Sequence, residues 1–238
     1  MAADRRAIAY LGHTFHYDNR LLPALLPGYL EEICRLDSTV NLSTAGTVLD
    51  VGANVGQFAA TVAWRFPHLS VWSFEPNPAA LGYLQRNAAQ TPGWHVLPWG
   101  IAPHEVEIPL WYVPGKSAQA SHHQANATIG LAAHDLRQAT VLCRPLDQRT
   151  LTDAGIPPAV DVVKIDVEGA EESVLRGLTE LEWRHLLIET SNNREGGLDL
   201  ASTIDLVSEL WGRTPELLWA SDRGPAHPTR DAILRLPS

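Results

Sequence analysis

The sequence predicts an α/β fold: a mostly parallel sheet with helices on both faces, closed by a C-terminal antiparallel hairpin. Three observations lead there. A strand, a glycine turn and a helix start stand together at Thr47–Phe58, TVLDVGANVGQF. Short apolar runs then alternate with helix-periodic runs as far as Trp211. Two last apolar runs, Glu216–Ala220 and Ala232–Leu236, are joined by the Gly/Pro-rich link Ser221–Thr229 and suit a hairpin.

The totals fit one buried domain. The chain has 238 residues, 45% of them hydrophobic, so a packed core is expected. A net charge of −9 with dispersed Lys and Arg argues against a nucleic-acid partner. Cys34 and Cys143 read as two free thiols of a cytoplasmic protein. Met1–Tyr10 carries Asp4, Arg5 and Arg6 but no apolar run, so no signal peptide is expected. No stretch approaches the roughly 20 apolar residues of a membrane span. The oligomeric state is open, a homodimer included.

Residues 1–45 form an N-terminal extension, read as helical over Gly28–Leu36 with a looser, proline-broken stretch before it. Such a segment serves as a lid or substrate contact, or as plain packing. In the turn that follows, Val48, Leu49 and Val51 bracket Asp50. Gly52 lets backbone approach a ligand, and Gly56 lets helix and strand pack closely. The Gly-x-x-x-Gly spacing departs from the dinucleotide fingerprint, which serves a pyrophosphate. An acid ahead of the turn suits a cation instead. S-adenosylmethionine carries an ammonium and a sulfonium and no phosphate.

Gln57–Phe66 is the first helix of the unit, stopped by Pro67, and Ser70–Phe74 the next strand, ending in Glu75. An acid about 20 residues after such a turn holds ribose hydroxyls. Pro78–Ala89 is a helix and Trp94–Pro98 a strand. After it, Trp99 or Ile101 offers adenine an apolar wall, or Trp99 is ordinary core. Glu105–Val113 is a strand or hairpin. Pro114–Leu136 is a polar loop holding His122, His123 and His134, which are surface residues, bases or substrate contacts. No metal-ligand spacing is visible, so no metal is assigned. Thr140–Leu146 is a short apolar run before Asp147. Asp161–Ile165 is a buried strand ended by Asp166, and Val167–Gly177 a turn and helix. Trp183–Glu189 is a strand and Asp199–Trp211 an amphipathic helix.

VVKIDVEGAEESVLRGL (Val162–Leu178) closely resembles the signature of FkbM-type S-adenosylmethionine-dependent methyltransferases. DVGANVGQF (Asp50–Phe58), FEPNP (Phe74–Pro78) and RPLD (Arg144–Asp147) resemble further segments of that family, in the same order. The likeness runs from about Thr47 to Glu189 and implies the Rossmann-like, seven-stranded class I methyltransferase sheet over residues 46–238. It also implies S-adenosylmethionine as cofactor and methyl transfer to a sugar or polyketide hydroxyl, as in natural product biosynthesis. Asp50, Gly52, Ala53, Asn54 and Gly56 would cradle the methionine part. Glu75 and Pro76 would lie at the ribose, Gly100 and Ile101 at the adenine, and Asp166 beside the cofactor.

A hydroxyl is a poor nucleophile, and a base helps by about 10²- to 10⁴-fold. The candidates are Asp166, Glu168 and His123. Glu168 also reads as a helix N-terminal acid, and Glu171 and Glu172 as solvated. Two other readings stay open: an NAD(P)-dependent oxidoreductase on a related sheet, and a non-catalytic cofactor-binding module.

Overall fold

A computed structural model describes residues 6–18, 22–116, 120–127, 135–191, 193–221 and 229–237. Asp4, Arg5, His134 and most of the link after Ser221 lie outside the described residues. Seven strands form the central sheet: β3 (Thr47–Val51), β4 (Ser70–Phe74), β5 (Trp94–Leu97), β9 (Ala159–Ile165), β10 (Glu182–Ser191), β11 (Glu216–Ala220) and β12 (Thr229–Arg235). Their order is β11-β12-β10-β9-β3-β4-β5. The neighbours from β10 to β5 run parallel, and β12 is antiparallel to both β10 and β11. The expected parallel sheet and closing hairpin are both present.

Alternate residues of each strand face opposite sides, and both sides are covered. Val48, Val71, Val162, Leu187 and Ile233 pack on α1 (Leu22–Val40), α2 (Gln57–Arg65) and α3 (Pro78–Ala88). Leu49, Trp72, Val163, Leu186 and Leu234 pack on α5 (Gln148–Ala154), α6 (Glu171–Gly177) and α7 (Leu200–Trp211). Asp147 and Asp199 cap α5 and α7, accepting from the Thr150 and Ser202 amides at 2.7 Å.

Three features differ from expectation. First, α1 runs through Pro27 instead of starting after it. Pro27 donates no helical hydrogen bond to the Pro23 carbonyl, but buried Leu26, Ile33 and Leu36 anchor both sides of it in the core. Second, the extension is not helical throughout. β1 (Arg6–Tyr10) and β2 (His13–Tyr17) form a hairpin on the outside of α3. There the Asn87 side chain acts as a strand edge, accepting from the His16 amide (2.8 Å) and donating to the His16 carbonyl (2.9 Å). Third, Thr140–Leu146 belongs to a longer strand, β8 (Arg137–Arg144), outside the main sheet. It pairs with β6 (Gly100–Ile101) and β7 (Val106–Tyr112) in a separate three-stranded sheet. β7 is thus one strand of that small sheet. Within Pro114–Leu136, the described residues include one short turn of helix, α4 (Gln124–Ala127).

Candidate active site

A cavity of about 830 Å³ lies across the carboxyl ends of β3, β4, β9 and β10, under α1 and against the small sheet. Its position follows from strand order. β3 is flanked by β4 on one side and β9 on the other, so the connections leaving these strands diverge and open a crevice.

On the β3–β4–β5 side the backbone builds the wall. Gly52 (φ 82°) sits where any Cβ would overlap the Asp166 carbonyl oxygen. The glycine therefore admits the loop after β9, not the ligand alone. The Gly52 and Ala53 amides donate to the Phe74 carbonyl at 3.0 and 3.1 Å. Buried Glu75 accepts from the Asn54 amide and the Asn77 amide, both at 2.7 Å. Burial still pushes its carboxyl up to about 7, against the pull of those donors. Pro76, Gly100 and Ile101 line the same side. Gly56 does not line the cavity. It is packed against Leu84 and Trp94, where a side chain would not fit. Trp99 is core, edge-on to Phe74 at 5.0 Å, and leaves the apolar wall to Ile101.

On the β9–β10 side the wall is charged. Asp50 and Lys164 are register partners in β3 and β9, on the sheet face that α1 covers. The Lys164 Nζ lies 3.8 Å from Asp50 Oδ1 and 3.1 Å from Asp166 Oδ2. Burial alone would neutralise this lysine, but Asp166 and Asp50 hold its ammonium above its ordinary pKa. Burial lifts Asp50 to about 6. For Asp166 burial is outweighed: Lys164 keeps its carboxyl below the usual carboxylate range. Glu189 stands beside it, pushed up to about 8 by burial and then by the Asp166 charge. At neutral pH the two acids therefore hold one proton and one negative charge between them. Lys164 and Glu189 were not singled out from sequence. A lysine inside the apolar run VVKI was the available signal for the first.

Asp166, Glu168 and Glu189 bring carboxylate oxygens within 4.8 Å of one another. Two already have cationic partners, Lys164 at Asp166 and Arg194 at Glu168. Glu168 lies before α6 at φ 55°, and its carbonyl accepts from Ser121 Oγ (2.9 Å) and Asn126 Nδ2 (3.2 Å). The acid at the helix start is Glu171. It is buried, not solvated, and accepts from the Gly169 amide at 3.0 Å. Glu172 pairs with Arg176 at 2.9 Å on the outside. His123 is turned away from the cavity, its Nδ1 3.4 Å from Glu195. Its neighbour His122 lines the wall instead, and burial, helped by His123, lowers it to about 4.

Among the described residues no helix is long and apolar enough to cross a membrane. The Methyltransferase FkbM domain family matches residues 50–213. Methyltransferase sdnD of Sordaria araneosa is 27% identical over 176 residues, 63% of this chain and 68% of that protein. The 31-O-demethyl-FK506 methyltransferase FkbM of Streptomyces tacrolimicus is 26% identical, over 63% and 66% of the two chains. The hexuronic acid methyltransferase AglP of Haloferax volcanii is 30% identical, over 55% of this chain and 48% of its own. The chain thus spans about half to two thirds of these relatives. Among solved structures, magnesium protoporphyrin IX methyltransferase from Synechocystis PCC 6803 shares the fold (TM-score 0.53, 11% identity, 90% and 81% covered). So does TYW2 of M. jannaschii (TM-score 0.52, 13% identity, 100% and 89% covered). With the family match spanning Asp50 to Arg213, the chain belongs to the FkbM methyltransferase family and uses S-adenosylmethionine.

Proposed function

We propose that the protein is an O-methyltransferase acting on a hydroxyl of a sugar or other natural product. The observation that carries this reading is the Asp166 carboxylate, 3.1 Å from the Lys164 Nζ, at the boundary between the two sides of the cavity. The residues present fit the cofactor. Each Glu75 oxygen uses one acceptor position on a backbone amide and keeps another for a ribose hydroxyl. Asp50, Gly52, Ala53 and Asn54 would hold the methionine part, Pro76 would lie with Glu75 at the ribose, and Gly100 and Ile101 at the adenine. An acid-lined crevice suits a cation. Bound there, the cofactor supplies an electrophilic methyl group. The chain's part is to hold the acceptor oxygen in line and take its proton.

Asp166 has the position for that proton. It lies at the end of β9, with its amide donating to the Val51 carbonyl at 3.0 Å. Glu168, paired with Arg194, shapes the loop instead. In this reading residues 46–238 are the methyltransferase domain, and α1 of the N-terminal extension covers its cavity. The relatives named for FK506 and hexuronic acid support a hydroxyl-bearing small molecule as acceptor. Calorimetry with S-adenosylhomocysteine and with NAD is the direct check. Micromolar binding of the first and none of the second is expected; the reverse would sink the reading.

A further inference from the structure

We propose that Tyr29 and Glu32 of α1 read the methyl acceptor, and that they select a polyhydroxylated ring bearing no carboxylate or phosphate. This rests on the methyl-transfer reading and goes beyond it in naming the recognition face and the acceptor class.

Sheet register defines that face. Asp50, Lys164, Leu187 and Ile233 form one row across β3, β9, β10 and β12. Asp166 and Glu189 return to the same side one step further out, with Glu189 opposite Asp231. α1 crosses above this row. Tyr29 and Glu32 are three residues apart, on one helical face, and both line the cavity. The row and α1 bound the half of the cavity away from Glu75, where an acceptor meets Asp166.

Neither the Tyr29 nor the Glu32 side chain makes a hydrogen bond to a described residue. Both are only half-buried, so they keep their hydrogen-bonding capacity for what enters the cavity. A carboxylate accepts from two neighbouring hydroxyls at once, and a phenol donates or accepts. Burial lifts the Glu32 carboxyl to about 7 and raises the Tyr29 phenol, which keeps its proton as a donor. Both are matched to hydroxyl groups.

The charges disfavour an anion. Glu168 and the Asp166–Glu189 pair each bring a negative charge to this half, Glu32 near 7 is partly protonated beside them, and Lys164 and Arg194 are already engaged with Asp166 and Glu168. Arg35 lies over the Trp219 ring at 4.2 Å and closes the far wall. A carboxylate on the acceptor would enter beside the charges of Asp166 and Glu168, and Arg35, held over Trp219, is the one cation of these three that no described carboxylate already engages. The hexuronic acid named for the Haloferax relative is therefore the kind of acceptor this cavity disfavours.

The test uses the full-length protein and a panel of methyl glycosides, each neutral sugar beside its uronate. Methyl transfer is followed by product mass. Ring binding is followed by saturation-transfer NMR with S-adenosylhomocysteine present. Turnover is expected on at least one neutral glycoside, with its uronate at least about tenfold poorer in kcat/KM. In Glu32→Gln and Tyr29→Phe, KM for that glycoside rises about tenfold while kcat and S-adenosylhomocysteine affinity stay within about threefold. Turnover on uronates alone overturns the proposal. So does turnover on no glycoside, or unchanged KM in both variants. Loss of S-adenosylhomocysteine binding by the unmodified protein overturns the methyltransferase reading itself, a separate outcome.

Discussion

On the Glu75 side of the cavity, carboxylate and backbone amides satisfy one another within a short stretch of chain. On the α1 side, acids gather around one lysine, and the Tyr29 and Glu32 side chains stay without hydrogen bonds to the described residues. The first side is preorganised by its own turn, so it suits a ligand that never changes. The second draws on strands and a helix far apart in sequence, so no single stretch of chain sets its chemistry. The contrast explains why the Glu75 side is legible as sequence motifs and why Tyr29 and Glu32 on the α1 side are not.

The largest expected effect lies where the two sides meet. Asp166→Asn should lower kcat by about 10²- to 10⁴-fold with S-adenosylhomocysteine affinity nearly unchanged. Equal loss of both would move Asp166 to the cofactor side and erase the distinction. Next, Glu75→Ala should weaken S-adenosylhomocysteine by about 1–3 kcal/mol, because the Asn54 and Asn77 amides lose their acceptor along with the ribose. Titration calorimetry reads this, and an unchanged Kd would remove Glu75 from the site.

The smallest effect is in stability against pH. Glu75 and Glu189 carry folded pKa values of about 7 and about 8, above the ordinary 4.5. A raised carboxyl binds its proton more tightly in the folded state. That stability is fully present below the ordinary value and is lost as pH rises through the folded one. The melting temperature without cofactor should therefore fall between pH 5.5 and 8.5, and Glu189→Gln should flatten the upper part of that fall. A melting temperature that rises over the same range would show both acids ionised in the fold.

Much of the Glu75 side was legible in the sequence. The glycine turn, Glu75 at the end of β4 and the Asp166 strand are local patterns, set by apolar runs and turn residues close together. Where that reading failed, long-range packing had decided. Pro27 looked like a helix boundary, but core contacts on both sides of it carry α1 through. Gly56 packs against Leu84 and Trp94, as the turn itself suggested, and does not take the ligand-holding place that the resemblance implied. His123 had the favourable chemistry, yet its ring turns to Glu195.

The sequence by itself determined the fold class, the strand that begins the unit and the acids that end its strands, because alternating hydrophobicity and glycine turns act over a few residues. Only the tertiary structure decided which acids share a charge and which helix roofs them. Lys164 reaches Asp166 along one face of its own strand, but it reaches Asp50 because β9 lies beside β3, a pairing between residues more than a hundred positions apart in which strand register sets the neighbours.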